Sequence, residues 1–169
     1  MKRTLPIIFL FLTSFGFSQD PQGFDKMLNK ELKGTVEQLN PADLNAKIKK
    51  QSNIFLLDTR ELNEYKVSHI KGAKFVSYND FNMNLLNGIP KDAYICVYCS
   101  VGVRSEHIGE KLNKAGYKHV YNLRGGLFSW ANQGFPIVNT KGKITKKVHG
   151  FDEEWSKYLN KEKVEVELK

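Results

Sequence analysis

The chain has 169 residues, enough for one domain with an ordinary hydrophobic core and too few for two. Its formal net charge is +8, but the basic excess is diffuse and partly concentrated in residues 141–147. No basic stripe alternates with aromatic residues, which disfavours a nucleic-acid-binding module. A domain of this size can build a core without disulfides, and the two cysteines, Cys96 and Cys99, have the Cys-x-x-Cys spacing of some redox motifs.

The N-terminus has the pattern of a signal peptide. Lys2 and Arg3 precede an apolar stretch over residues 5–17, and the small residues Gly16 and Ser18 predict cleavage after Ser18. The apolar stretch is shorter than the roughly 20 residues that a membrane-spanning helix needs. We therefore expect an exported, periplasmic protein without a stable membrane anchor.

Residues 19–33 are polar and mixed, which predicts a loosely ordered leader. Short apolar runs then alternate with amphipathic segments. The predicted strands cover 35–39, 53–58, 74–76, 94–98 and 119–123. The predicted helices cover 41–50, 61–67, 106–115 and 127–133, with a helical turn predicted at 81–86. This alternation indicates an α/β fold, a central parallel sheet with helices on both faces.

The last segment, residues 140–169, has no role in this alternation and forms a C-terminal extension. Asp152 is predicted to cap a short helix whose Trp155 and Leu159 pack on the domain. Residues 161–169 alternate apolar and charged side chains, which is typical of a strand, although a frayed end remains an alternative.

Cys99 occupies the most informative position in the chain. It begins the loop CSVGVRS, residues 99–105, between the predicted strand 94–98 and the predicted helix 106–115. Backbone N–H groups and the positive end of the helix dipole meet at such a position, where they stabilise a thiolate or a bound anion. From the spacing alone, an ordinary cysteine at a strand end remains an alternative.

Three segments in order carry a resemblance to a known family. They are DTRELNEY from Asp58 with SHIKGA after it, the Cys99 loop, and GYKHVYNLRGG from Gly116, followed by Trp130, Gly134 and Pro136. Together they resemble the rhodanese-like sulfurtransferases over residues 34–139. The resemblance implies that Cys99 accepts a sulfane sulfur as a persulfide and passes it to a thiol or to cyanide, without a cofactor or a metal. A small sulfur donor is the expected substrate, and a protein thiol is a further candidate acceptor.

The resemblance also implies roles for residues around Cys99. The loop positions expected to bind substrate are Ser100, Val101, Gly102, Val103, Arg104 and Ser105. Asp58 and Arg60 are expected to brace the site. Arg104 has two candidate roles, binding an anionic donor and pairing with a structural carboxylate. Ser100 and Val101 stand where dedicated thiosulfate enzymes often have basic residues, which leaves persulfide donors open beside thiosulfate. Ser68 stands where the family usually has glycine, so a positive φ there would be strained.

Other functions are weighed against sulfur transfer. The loop from Cys99 to Arg104 is one residue shorter than in phosphatase relatives of the fold, which disfavours phosphoryl transfer. A thiol–disulfide oxidoreductase using Cys96 and Cys99 and a non-catalytic rhodanese-like binding module remain alternatives. Strand positions three apart face opposite sides, so we expect no stable disulfide. Cys96 is then a buried thiol and Cys99 the accessible one.

Overall fold

The computed structural model describes residues 23–50 and 53–168, so the predicted signal peptide lies outside the described residues. The strands, in chain order, are β1 Glu37–Leu39, β2 Ile54–Asp58, β3 His69–Ile70, β4 Lys74–Phe75, β5 Tyr94–Tyr98, β6 His119–Leu123, β7 Ile137–Val138, β8 Ile144–Thr145, β9 Lys147–His149 and β10 Glu165–Glu167. The helices are α1 Phe24–Glu31, α2 Pro41–Lys49, α3 Leu62–Val67, α4 Val103–Lys114, α5 Gly126–Asn132 and α6 Glu153–Ser156, with a 3-10 helix at Met83–Leu86.

The central sheet is parallel and has the strand order β1-β6-β5-β2-β4. Strand β5 lies in its middle and is buried along nearly all its length, as an apolar strand of a parallel sheet must be. Cys96 and Tyr98 face one hydrophobic core, and Ile95 and Val97 face the other. Helices α1, α2 and α5 pack on the first core and α4 packs on the second, which confirms the predicted α/β fold with helices on both faces.

Helix α1 corrects the prediction of a loosely ordered leader before the domain. Phe24 and Leu28 lie four residues apart on one face of the helix, and both are buried in the core. The Phe24 ring lies 5.4 Å from the ring of Tyr158, centroid to centroid. The polar composition of residues 19–33 hid this apolar pair, because only one face of the helix is buried.

The C-terminal extension is an ordered part of the domain. Strand β10 pairs in parallel with β9, which confirms a strand within residues 161–169. The Asp152 carboxylate accepts a hydrogen bond from the Trp155 N–H and caps α6 as predicted, and Leu159 is buried. The antiparallel sheet of β3, β7 and β8 is not predicted, because its strands have two residues each. In the described part of the chain, no helix has the length and apolar character to cross a membrane.

Candidate active site

Cys99 follows the central strand β5 directly, at the carboxyl end of the sheet. Its Sγ accepts a hydrogen bond from the Gly102 N–H at 3.1 Å. The residue is 1% exposed, so Cys99 is not the openly accessible thiol that the sequence analysis expected. A cavity of about 190 Å³ borders it instead. A reagent must therefore enter this cavity to reach the sulfur.

The loop after Cys99 is held from behind by the start of α5. The Leu127 N–H donates to the Cys99 carbonyl at 2.8 Å, and the Phe128 N–H donates to the Ser100 carbonyl at 3.0 Å. A Cβ at Gly126 would lie 2.3 Å from the Cys99 carbonyl oxygen, so only glycine permits this approach. The carbonyl groups of Cys99 and Ser100 thus point to α5, while the Gly102 N–H points to the sulfur.

Helix α4 begins at Val103, three residues earlier than the sequence pattern predicts. Gly102 is its N-cap and has a φ of 111°, a conformation that favours glycine. The Gly102 carbonyl accepts a hydrogen bond from Asn122 Nδ2 at 3.0 Å. The one hydroxyl hydrogen of Ser105 is within reach of both Asn122 Oδ1, at 2.7 Å, and the Gly102 carbonyl oxygen, at 3.1 Å. Sequence reasoning missed Asn122, whose only signal is an amide within the apolar strand β6.

The cavity divides the predicted substrate-binding residues into two groups. Ser100, Val101, Val103 and Arg104 line it, whereas Gly102 and Ser105 are not among its lining residues and shape the loop. The rest of the lining, apart from Cys99, was not predicted and comprises Glu31, Phe151 and Trp155. These three residues come from α1 and from the C-terminal extension.

Arg104 forms the principal ion pair of the site with Glu64. Its guanidinium donates two hydrogen bonds to the Glu64 carboxylate, each at 2.8 Å, and one to Ser100 Oγ at 3.0 Å. Ser100 Oγ also donates to Glu64 at 2.7 Å. Burial opposes the ionised carboxyl, but the hydrogen bonds and charge of Arg104, with further hydrogen bonds from the Glu61 N–H and Ser100, lower the pKa of Glu64 to about 2. Arg104 therefore has the structural partner that the sequence analysis offered as one of its two roles.

Glu64 itself was missed by sequence reasoning. It lies 40 residues before Arg104 and belongs to the capping box of α3, where it accepts a hydrogen bond from the Glu61 N–H. A capping-box glutamate is ordinarily exposed, and no local signal marks this one as buried. Only its contact with Arg104 in the folded structure distinguishes Glu64 from the other glutamates of the chain.

Comparison with known proteins shows which family has this architecture. The family model described as Rhodanese-like domain matches residues 40–133, more than half of the chain. The chain belongs to the rhodanese-like domain family. A sulfurtransferase from Allochromatium vinosum is 31% identical to this chain over 107 residues, which cover 63% of this chain and 99% of that protein. The resemblance stated from the motifs is thus confirmed at the level of the family.

Other relatives and structures share the same domain. A tRNA uridine(34) hydroxylase from Bdellovibrio bacteriovorus is 30% identical to this chain over 104 residues, which cover 59% of this chain and 30% of the hydroxylase. A rhodanese-like domain from Anabaena sp. superposes with a TM-score of 0.56 at 26% identity, covering 60% of this chain and 78% of that one. A thiosulfate sulfurtransferase from Pseudomonas aeruginosa shares the fold, with a TM-score of 0.59 at 20% identity over 83% of this chain and 26% of that chain.

Asp58 and Arg60 form a second ion pair, and neither residue lines the cavity beside Cys99. Both side chains are fully buried, with Arg60 Nη2 at 2.7 Å from Asp58 Oδ2 and at 2.6 Å from the Ser68 carbonyl oxygen. The pair thereby ties the end of β2 to the segment before β3. Ser68 has a φ of −167°, which is extended backbone, so the glycine-to-serine strain considered from the sequence does not arise.

Cys96 lies inside β5, fully buried in the core that contains Tyr98. Burial raises the pKa of the Cys96 thiol, which keeps it protonated. Cys96 and Cys99 are both free thiols. Within residues 23–50 and 53–168, no group of three or more His, Cys, Asp or Glu residues is arranged to hold a metal ion.

Proposed function

We propose that this rhodanese-like protein is a sulfurtransferase in which Cys99 carries the sulfur as a persulfide. The observation that supports the proposal best is the position of Cys99, which lines a cavity and whose sulfur accepts a hydrogen bond from the Gly102 N–H at 3.1 Å. The sulfurtransferase from Allochromatium vinosum, which the chain matches over 99% of that protein's length, supports the same reaction class.

The reaction has two displacement steps. The Cys99 thiolate attacks the outer sulfur of the donor, the donor's S–S bond breaks, and its electron pair leaves on sulfite from thiosulfate or on a thiolate from a persulfide. An acceptor thiolate or cyanide then attacks the outer sulfur of the Cys99 persulfide. The Cys99–S bond breaks, its electron pair returns to the Cys99 thiolate, and the product is a new persulfide or thiocyanate.

Each step places negative charge on sulfur at the start of α4. A helix of 12 residues presents its positive dipole end there, and the Gly102 N–H donates directly to the sulfur. Burial opposes the charged form of Arg104, but the hydrogen bonds and charge of Glu64, together with the Cys99 sulfur, raise the pKa of Arg104. Arg104 therefore stays ionised beside the reacting sulfur while Glu64 and Ser100 fix its position.

A steady-state assay with thiosulfate or a low-molecular-weight persulfide as donor, and cyanide or a thiol as acceptor, tests the proposal. Cys99→Ser should lower sulfur transfer by at least about a thousandfold, because the nucleophile is lost. Cys96→Ala is the matched control and should keep most of the activity, since Cys96 is a core residue.

Three other results would contradict the proposal. Substantial transfer by Cys99→Ser would show that Cys99 does not carry the sulfur. An equal loss in Cys96→Ala with an intact fold would favour the oxidoreductase that uses both thiols. Absence of transfer with every donor by the folded wild-type protein would favour a non-catalytic rhodanese-like binding module.

We also propose that the protein is exported to the periplasm after removal of residues 1–18. Lys2, Arg3 and the apolar residues 5–17 support this. N-terminal sequencing of protein from the periplasmic fraction should begin at or near Gln19. A protein that retains Met1 and sediments with membranes would contradict it.

A further inference from the structure

The cavity beside Cys99 has mainly apolar walls, and two of them come from the C-terminal extension. Phe151 and Trp155 line the cavity together with the loop residues Val101 and Val103. The family match ends at residue 133, so Phe151 and Trp155 lie beyond it. The surroundings of the sulfur thus depend on a segment that the family pattern does not contain.

Phe151 is held in a backbone conformation that its side chain disfavours. Its φ is 70°, in the left-handed region, where a bulky residue is an outlier. Its N–H donates to His149 Nδ1 at 3.0 Å, and the Arg104 guanidinium carbon lies 5.3 Å from its ring centroid. The residue is 46% exposed, so core burial does not account for an aromatic ring at this position. Backbone outliers of this kind cluster at ligand clamps and active sites.

The charges around the cavity do not favour a small dianion. Arg104 is the one cation among the described residues that line the cavity, and both of its outer nitrogens donate to the ionised Glu64. The other charged group of the lining is the Glu31 carboxylate, whose Oε1 lies 3.4 Å from the exposed Lys30 ammonium. Each charge therefore already has a partner of opposite sign.

We infer that Phe151 and Trp155 are specificity-determining residues that select sulfur compounds carrying an uncharged apolar group over thiosulfate. The inference rests on the proposed reactivity of Cys99 and adds the substrate class. The size of the site agrees with it, because a cavity of about 150 Å³ accommodates benzene and this one has about 190 Å³. The sulfur of such a compound meets Cys99 while its apolar group lies against the two rings.

Labelling with methanethiosulfonate esters tests the selectivity without requiring turnover. The Cys99 thiolate attacks the ester's thiol sulfur, the bond between that sulfur and the sulfonyl group breaks, and methanesulfinate leaves with the electron pair. The product is a mixed disulfide on Cys99, which peptide mass spectrometry locates. Benzyl, methyl and 2-sulfonatoethyl esters share the reactive group and differ in apolar area and charge.

The benzyl preference is the rate constant for labelling by the benzyl ester divided by that for the methyl ester. For wild-type Cys99 this ratio should be about tenfold larger than for N-acetylcysteine. Wild-type Cys99 should also react more slowly with the sulfonatoethyl ester than with the methyl ester. Phe151→Ala should lower the benzyl preference about fivefold, the size of effect that one aromatic contact produces. Trp155→Ala should lower it by a similar factor. Ile144→Ala removes a 78% exposed side chain of the same extension, outside the cavity lining, and should leave the preference unchanged.

An unchanged benzyl preference in Phe151→Ala would overturn the inference, as would a wild-type preference equal to that of N-acetylcysteine. Phe151→Gly removes the same ring and relieves the left-handed backbone, so it repeats the measurement if Phe151→Ala folds poorly. A wild-type protein that lacks the benzyl preference but keeps Cys99-dependent transfer contradicts only the inference. Transfer that persists in Cys99→Ser contradicts the proposed function instead.

Discussion

The segment that matches the family, residues 40–133, and the segments that flank it contribute different parts of one site. The matching segment provides Cys99, the Gly102 N–H and the Glu64–Arg104 pair. The flanking segments provide Glu31 on α1 and the two aromatic walls on the extension. Cys99 thus lies in the segment that matches the family, whereas part of the cavity wall beside it lies outside that segment.

The two regions also differ in how they are held. Buried hydrogen bonds fix the Cys99 loop on several sides, from α5, from Asn122 and from Glu64. The wall residue Phe151 is exposed on one side and sits on strained backbone. We therefore expect substitutions in the matching segment to cost stability, and substitutions in the walls to change selectivity with a smaller effect on stability.

Gly126→Ala should lower the free energy of unfolding more than any other substitution considered, because it disturbs the contact between α5 and the Cys99 loop. The added Cβ must displace the Cys99 and Ser100 backbone, and the φ of 53° is unfavourable for alanine. We expect a loss of about 4 kcal/mol in the free energy of unfolding, measured by urea titration, from overpacking and backbone strain together.

Gly134→Ala is the matched control for Gly126→Ala. Its φ is 77°, but no atom lies within 4 Å of the added Cβ. It should cost only about 1 kcal/mol, from backbone strain alone. Equal losses in the two variants would show that the approach of α5 to the loop is not the reason for glycine at position 126.

Glu64→Gln should be the next largest perturbation. It leaves the Arg104 guanidinium largely buried without a counter-ion, which should cost about 3 kcal/mol at neutral pH. Glu165→Gln removes an exposed carboxylate of the extension and should change stability by less than about 0.5 kcal/mol. A stability of Glu64→Gln equal to that of the wild type would contradict the view that the Cys99 loop depends on this ion pair.

The stability difference between the wild type and Glu64→Gln should decrease as the pH falls. The pKa of Glu64 is lowered from 4.5 to about 2 in the folded protein, so its stabilising contribution is complete above 4.5 and is lost as the pH falls toward 2. The stability advantage of the wild type over Glu64→Gln should narrow by about 2 kcal/mol between about pH 6 and pH 3. Paired urea titrations at the two pH values measure it, and a constant difference would contradict the lowered pKa.

Phe151→Gly and Phe151→Ala should show the smallest stability effect and the clearest contrast with the loop. Both variants delete the ring, but only glycine adopts a φ of 70° without strain. Phe151→Gly should therefore be more stable than Phe151→Ala by about 1 kcal/mol in urea titrations. Equal stabilities would show that the backbone at residue 151 relaxes without cost.

The sequence predicts the central sheet and the Cys99 loop because their signals are local. Strand β5 is one apolar run, and the loop is a contiguous motif that follows it. Glu64 could not be found in this way, since its partner Arg104 lies 40 residues away and a buried glutamate looks like any other in sequence. Phe151 escaped for the same reason, because only the packing of the extension brings it to the cavity.

The position of the transferred sulfur tests the central claim most directly. The wild-type protein is incubated with a persulfide donor without an acceptor, then digested and analysed by mass spectrometry. We predict a gain of one sulfur atom on the peptide containing Cys99, located on Cys99 by fragmentation and removed by cyanide as thiocyanate, with Cys96 unmodified. A loss of two hydrogens that links Cys96 to Cys99, or sulfur located on Cys96, would contradict the account.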